Sequence, residues 1–255
     1  MKELSIFIIT HKNYDFPNSS TYQPLFVGDR GEEKSQRFLN DHTGTNIAEK
    51  NSSFCELTGL YWLWKNHIFT QYKYIGLVHY RRYFKGKGEY LKNKSIASEN
   101  ELLFLLKKYH CIVPKKRHYL IENVYSHYKN AHFIQDLDCV RLIISKKHPS
   151  YLPSFDKVMN SRSLYLYNMF VMRSNLINNY CEWLFDILFE VEEMIDINSY
   201  DNYQKRVFGF LSERLFNVWL LHNELKVKQV DVINLEGENL LKKGINLLRR
   251  KFRNK

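Results

Sequence analysis

Residues 74–84, YIGLVHYRRYF, set the tightest limit on how this chain folds. An unbroken apolar run gives way abruptly to His79, Tyr80, Arg81 and Arg82. A run this short and this uniformly apolar is expected to be a strand covered on both faces, as in a parallel sheet. LSIFIIT (4–10) and CIVP (111–114) read the same way, and LYLYNMFVMR (164–173) predicts a further strand. Helical patterns alternate with these runs. SFCELTGLYWLWKNH opens on Ser53 and Glu56 at capping-box spacing, with Leu57, Leu60, Tyr61 and Trp64 at helical intervals. Ser98 and Glu101 repeat that spacing ahead of ELLFLLKKYH. Further helices are predicted over 130–146, from Ser174 to about Met194, and over roughly 205–222. KVKQVDVINL (226–235) returns to strand alternation, whereas 11 to about 50 and FKGKGEY read mostly as loop. The alternation predicts an α/β fold: one domain over 1–235, with a mostly parallel sheet and helices on both faces.

The chain has 38 Lys and Arg against 27 Asp and Glu, a formal charge of +11, which calls for an anionic partner. Nucleic acid, an acidic membrane surface and a phosphorylated small molecule all qualify. Cys55, Cys111, Cys139 and Cys181 are far apart with no CxxC pair, so neither a zinc site nor a disulfide framework is indicated. MKELSIFIIT lacks the pattern of a signal peptide and no apolar run reaches membrane-spanning length, so the expected location is cytoplasmic.

In open α/β sheets, ligands sit outside the carboxyl ends of the strands. Here those ends carry Thr10, His11 and Lys12, then His79 to Tyr83, then Asn168. Two arginines and a lysine beside a histidine suit a diphosphate, because guanidinium forks match phosphate oxygens. If the chain stayed extended, Arg81 and Arg82 would point to opposite faces, so both reach one ligand only if it turns after His79. For either arginine, an ion pair within the scaffold is the alternative. There is no GxxxxGK[ST] and no GxGxxG, so a nucleotide site here must be built from side chains. The literal Asp136-Leu-Asp138 falls in a predicted helix, where i and i+2 do not face one another, which makes it a weak metal site.

Five blocks in order, ITHKNYDFP, DHTGTNIAEKNSSFCELTGLYWLWKN, YIGLVHYRRYF, YNMFVMRSN and GFLSERLFNVWL, together resemble the DUF4422 family. These are bacterial glycosyltransferases encoded among capsule, exopolysaccharide and O-antigen genes, and they are similar to the GT-A fold. GT-A transferases usually end a central strand in an Asp-x-Asp that holds a divalent metal. His79-Tyr80-Arg81 stands in that place. The resemblance therefore implies a diphosphate neutralised by basic side chains, with a UDP-sugar as co-substrate, no further cofactor, and Mn or Mg not favoured. On this reading Thr10, His11, Lys12, Asn46, Lys50, Arg81 and Arg82 hold the nucleotide and diphosphate. Glu213, Asn168 and His79 are the catalytic candidates, and His132, Asp136, Met169 and Arg214 form the acceptor side. His127 is a further acid/base candidate beside His132.

Each residue also has a plainer reading. Asn168 could be a turn asparagine bonding locally, and Glu213 with Arg214 an ion pair anchoring a helix. Ser53 and Glu56 read as helix caps, and Tyr61, Trp62 and Trp64 as core. The tail LLKKGINLLRRKFRNK (240–255) has seven Lys or Arg, no acidic residue and an apolar side. Such a segment is expected to lie on anionic lipid, each basic residue contributing about 1 kcal/mol near the surface. The expected activity is transfer of a hexose from a UDP-sugar to a lipid-linked oligosaccharide at the inner membrane face. A nucleic-acid-binding module and a non-catalytic glycan-binding protein are the competing readings.

Overall fold

The computed structural model describes residues 2–28 and 38–236. Its strands are β1 (Lys2–Thr10), β2 (Tyr22–Phe26), β3 (Leu39–Asn40), β4 (Tyr72–His79), β5 (Arg82–Leu91) and β6 (Lys94–Ile96), then β7 (Cys111–Pro114), β8 (Arg117–His118), β9 (Ser163–Leu164), β10 (Phe170–Arg173), β11 (Val227–Val230) and β12 (Val232–Asn234). The helices are α1 (Asn51–Phe54), α2 (Leu57–Lys65), α3 (Glu99–Leu106), α4 (Val124–Ala131), α5 (Ile134–Lys147), α6 (Leu152–Asn160), α7 (Ser174–Met194) and α8 (Val207–His222). The main sheet runs β11-β7-β10-β4-β1-β2-β3, and every strand along this path is parallel except β10. The predicted α/β class and mostly parallel sheet are therefore present.

Strand alternation divides the core. Phe7, Ile9, Ile75 and Leu77 face one layer, together with α2, α7 and α8. Ile6, Ile8, Val78 and Val171 face the other, beneath β5, β6 and α3. Gly76 sits where sheet and side chains close tightly: a Cβ there would lie 3.0 Å from Val171 Cγ2 and 3.1 Å from Ile6. The Ser98–Glu101 capping box forms as predicted. Of the residues expected in the core, Trp62 is buried, whereas Tyr61 and Trp64 are half-buried at its edge, Trp64 stacked on Phe185 at 5.7 Å.

Several expected elements differ, each for a local reason. The helix predicted from Ser53 is split at Cys55, whose φ of 53° and ψ of −129° end α1 before α2 begins. Ser53 Oγ donates to Lys50 O at 3.1 Å and does not cap with Glu56. The strand predicted over 164–173 breaks between β9 and β10, because side chains of α8 replace its ladder partners. Asn217 Oδ1 accepts from Tyr165 N at 2.9 Å and Glu213 Oε1 accepts from Tyr167 N at 2.7 Å. The expected helix over 130–146 is two helices, with the break at His132 and Phe133. The segment expected to be loop before residue 50 contains β2 and β3, and FKGKGEY lies within β5. Among the described residues no helix is long and apolar enough to cross a membrane. The basic tail, 240–255, lies outside the described residues.

Candidate active site

The parallel strands β1 and β4 deliver their carboxyl ends side by side, Ile9 opposite His79. Thr10, buried at the end of β1, turns the chain outward: its hydroxyl donates to Lys12 O at 2.6 Å and accepts from Lys12 N at 3.2 Å. After His79 the chain reverses through Tyr80 and Arg81, so that Arg82 pairs back across to His79 as β5 begins. The turn required for both arginines to serve one site is present.

Tyr80 organises the cations. Lys12 Nζ lies 4.9 Å from its ring centroid, Arg81 Cζ 5.7 Å, and the His11 ring meets it edge-on at 5.3 Å. Lys12 and Arg81 then converge on one carboxylate, Glu236, at 3.5 Å and 3.1 Å. The Tyr80 oxygen and Glu236 push the Lys12 ammonium above its ordinary pKa. Slight burial works against the Glu236 carboxylate, but Arg81 and Lys12 outweigh it and hold its pKa low. All three side chains are at least one-third exposed, so these are surface ion pairs that an incoming anion can open. Arg82 diverges inward, its guanidinium carbon 4.5 Å from the Tyr167 ring centroid.

Beyond His79 lies a group of carboxylates held by one strained turn. Tyr167 and Asn168 both have left-handed backbone, with φ of 78° and 49°. Tyr167 O accepts from His79 Nε2 at 2.5 Å, while Tyr167 N donates to Glu213 Oε1. Asn168 Nδ2 donates to Glu56 Oε1 at 2.6 Å, Ser212 Oγ at 2.8 Å and Gly209 O at 3.2 Å. Burial pushes the His79 pKa down, helped by Arg82 and Arg81 and opposed by Glu56 and the Tyr167 carbonyl. A carbonyl can only accept, so Nε2 carries the proton and Nδ1 of the neutral ring is an acceptor. Burial raises the Glu213 carboxyl, and Glu56 adds to that rise, against the pull of Arg214, the Tyr167 amide and Arg82.

The DUF4422 family, described as a domain of unknown function, matches residues 5–224. The chain belongs to the DUF4422 family. Among solved structures, the apo form of WbbM, a bifunctional glycosyltransferase, is 30% identical, with a TM-score of 0.79 over 93% of this chain. The match covers 46% of the WbbM chain, so this chain spans under half of that protein's length. No curated protein matches it. The α/β architecture of this DUF4422 chain is GT-A-like.

The other expected site residues are spread more widely. Asn46 makes local bonds, accepting from Ala48 N and donating to Gly44 O, both at 3.1 Å. Its neighbour Thr45 bonds Asn66 at the far end of α2, about 15 Å along the helix from Glu56. Lys50 pairs with Glu192 at 2.7 Å. His132 bonds Gln204 at 3.0 Å and lies 4.1 Å from the Phe210 ring. Asp136 is buried and accepts from Tyr200 OH at 2.8 Å. His127 stacks on Tyr119 at 4.2 Å. Met169 corrects the sequence expectation outright. It is fully buried, in the apolar layer that also holds Tyr80 and Val171, and offers no surface to an acceptor. Arg214 is also internal: its Nη1 donates to Phe210 O at 2.8 Å and pairs with Glu213 at 3.3 Å, the helix-anchoring arrangement.

The residues at the end of β4 do not fit a divalent cation. His79 is the one ligating side chain of His79-Tyr80-Arg81, and its Nε2 is engaged by Tyr167. Among the described residues no three His, Cys, Asp or Glu lie grouped to hold a metal. Asp136 and Asp138 bond different tyrosines, Tyr200 and Tyr125. Sequence reasoning missed two site residues. Glu56 was assigned to a helix cap, and Glu236 lies 155 residues from Arg81.

Proposed function

We propose that this chain is a glycosyltransferase that moves a hexose from a UDP-sugar to a lipid-linked oligosaccharide in capsule, exopolysaccharide or O-antigen synthesis. The fold shared with WbbM and the DUF4422 membership support the transferase class. The observation that carries the reading is the convergence of Lys12 and Arg81, from adjacent strand ends, on a single carboxylate. A diphosphate offers more negative charge than Glu236 and would take its place. Arg81 matches phosphate oxygens in forked geometry, Lys12 adds a point charge, and Arg82 lies just inside. Preorganised cations of this kind stabilise the charge that develops as UDP departs. His79, with Nδ1 as acceptor, is acted on by both arginines and by Glu56, and the sugar would be held beside it.

The test is release of UDP from a panel of UDP-hexoses, with and without EDTA, alongside calorimetry with UDP and with a short oligonucleotide. The reading predicts UDP release that persists in EDTA, together with UDP binding that exceeds oligonucleotide binding. No turnover on any donor and no UDP binding would overturn it, and tight oligonucleotide binding would favour the nucleic-acid reading. The same panel with membrane vesicles bearing lipid-linked saccharide tests the acceptor class and the peripheral location.

A further inference from the structure

We infer that Glu56 takes the proton from the acceptor hydroxyl during transfer, and that Asn168 is the positioning residue that fixes it. This inference rests on the transferase reading above. Two carboxylates face the space beyond His79, and their bonding differs. Glu213 is engaged at both oxygens, by Tyr167 N and by Arg214. Glu56 is anchored by Oε1 alone, to Asn168 at 2.6 Å, and among the described residues its Oε2 accepts no hydrogen bond. Glu56 is only half-buried.

Its backbone setting is also specific. Cys55 adopts φ 53° and ψ −129°, a conformation L-residues rarely take, and this break places Glu56 at the start of α2. Such an outlier at a cleft is a pointer to function. The groups that face Glu56 are His79 from β4, Glu213 from α8, Arg206 just before α8, Tyr180 from α7 and the adjacent Cys55. Glu56, Arg81 and Arg82 all act on the His79 ring, and Arg82 acts on Glu213 as well. The cations and the base therefore share one neighbour, His79, at the end of β4.

The step balances without a further reagent. The acceptor oxygen forms a bond to the sugar's anomeric carbon while the bond from that carbon to the phosphate oxygen breaks. The electron pair leaves on the diphosphate, held by Arg81 and Lys12, and the hydroxyl proton passes to Glu56 Oε2.

The test uses the full chain and whichever panel donor the wild type hydrolyses fastest, with water as acceptor. Glu56→Gln is expected to lower kcat about 100- to 1000-fold while leaving UDP affinity unchanged. It should also abolish the fall in kcat on the acid side of the pH profile. Asn168→Asp, which sets a second carboxylate against Glu56, is expected to move that acid limb to higher pH, an effect a purely structural role would not produce. Turnover by Glu56→Gln within threefold of wild type would overturn the inference while leaving the transferase reading intact. So would equal losses of turnover and UDP affinity. A wild type that neither binds UDP nor releases it from any donor would overturn both.

Discussion

Replacing Asn168 by Ala tests the turn on which the carboxylate group depends. The substitution removes the 2.6 Å hydrogen bond to Glu56, a bond to an ionised group worth about 1.5–3 kcal/mol. It also places Ala at φ 49°, where asparagine is tolerated and other L-residues lose about 1 kcal/mol or more. Ser212 Oγ keeps its own bond to Gly209 O at 2.9 Å, so that part of the network survives. The expected loss is about 3 kcal/mol. For 255 residues, an unfolding entropy of about 2.1 cal/mol/K per residue makes this a fall in Tm of about 6 °C. Asn168→Gly loses the same bonds but relieves the backbone penalty, so it should be about 0.5–1 kcal/mol less damaging than Ala. Urea denaturation followed by fluorescence at 25 °C measures both variants. An Ala variant within 0.5 kcal/mol of wild type, or a Gly variant less stable than Ala, would refute this account of the turn.

Glu236→Gln removes the carboxylate that competes for Arg81 and Lys12, and UDP should bind up to about fivefold more tightly by calorimetry, less so as salt is raised. Glu213→Ala leaves the Arg214 guanidinium, 3% exposed, without its carboxylate and should cost about 3–5 kcal/mol in urea denaturation. Asp136 has a carboxyl raised by burial, which the Tyr200 bond only partly offsets. Because its folded pKa lies above the unfolded value, the stability it contributes is present at low pH and lost as pH rises through the folded pKa. Asp136→Asn, which keeps an acceptor for Tyr200, should therefore melt higher than wild type at pH 7.5, with the difference shrinking toward acid pH. A lower melting temperature at pH 7.5 would contradict this.

What could be read from the chain was what is encoded locally. β1, β4 and β7 are continuous apolar runs, and the Ser98–Glu101 cap needs only its own four residues. The Ser53–Glu56 pair has the same spacing and fails, because Cys55 breaks the helix and Asn168, 112 residues away, takes the Glu56 carboxylate. β2 is short and contains Pro24, while β5 carries two glycines and two lysines, so neither shows the pattern of a buried strand. Gly86 is required there: a Cβ would stand 2.3 Å from Ala97 Cα. The cationic half of the site was legible because strand ends and charge are both sequence features. The carboxylate half was not, since Glu213, Tyr167, Asn168 and Glu56 meet only once α8 and α2 pack against the sheet. Met169 was misplaced for a similar reason: Tyr167 and Asn168 reset which face the next strand presents.

UDP binding to Arg81→Ala, measured by calorimetry in EDTA beside the wild type, bears most directly on the proposal that side chains balance the charge of the diphosphate. Losing a charged fork worth about 1.5–3 kcal/mol should weaken UDP about 10- to 100-fold, while the wild type binds equally well with and without EDTA. Unchanged affinity in Arg81→Ala, or wild-type binding that disappears in EDTA and returns with manganese, would contradict it.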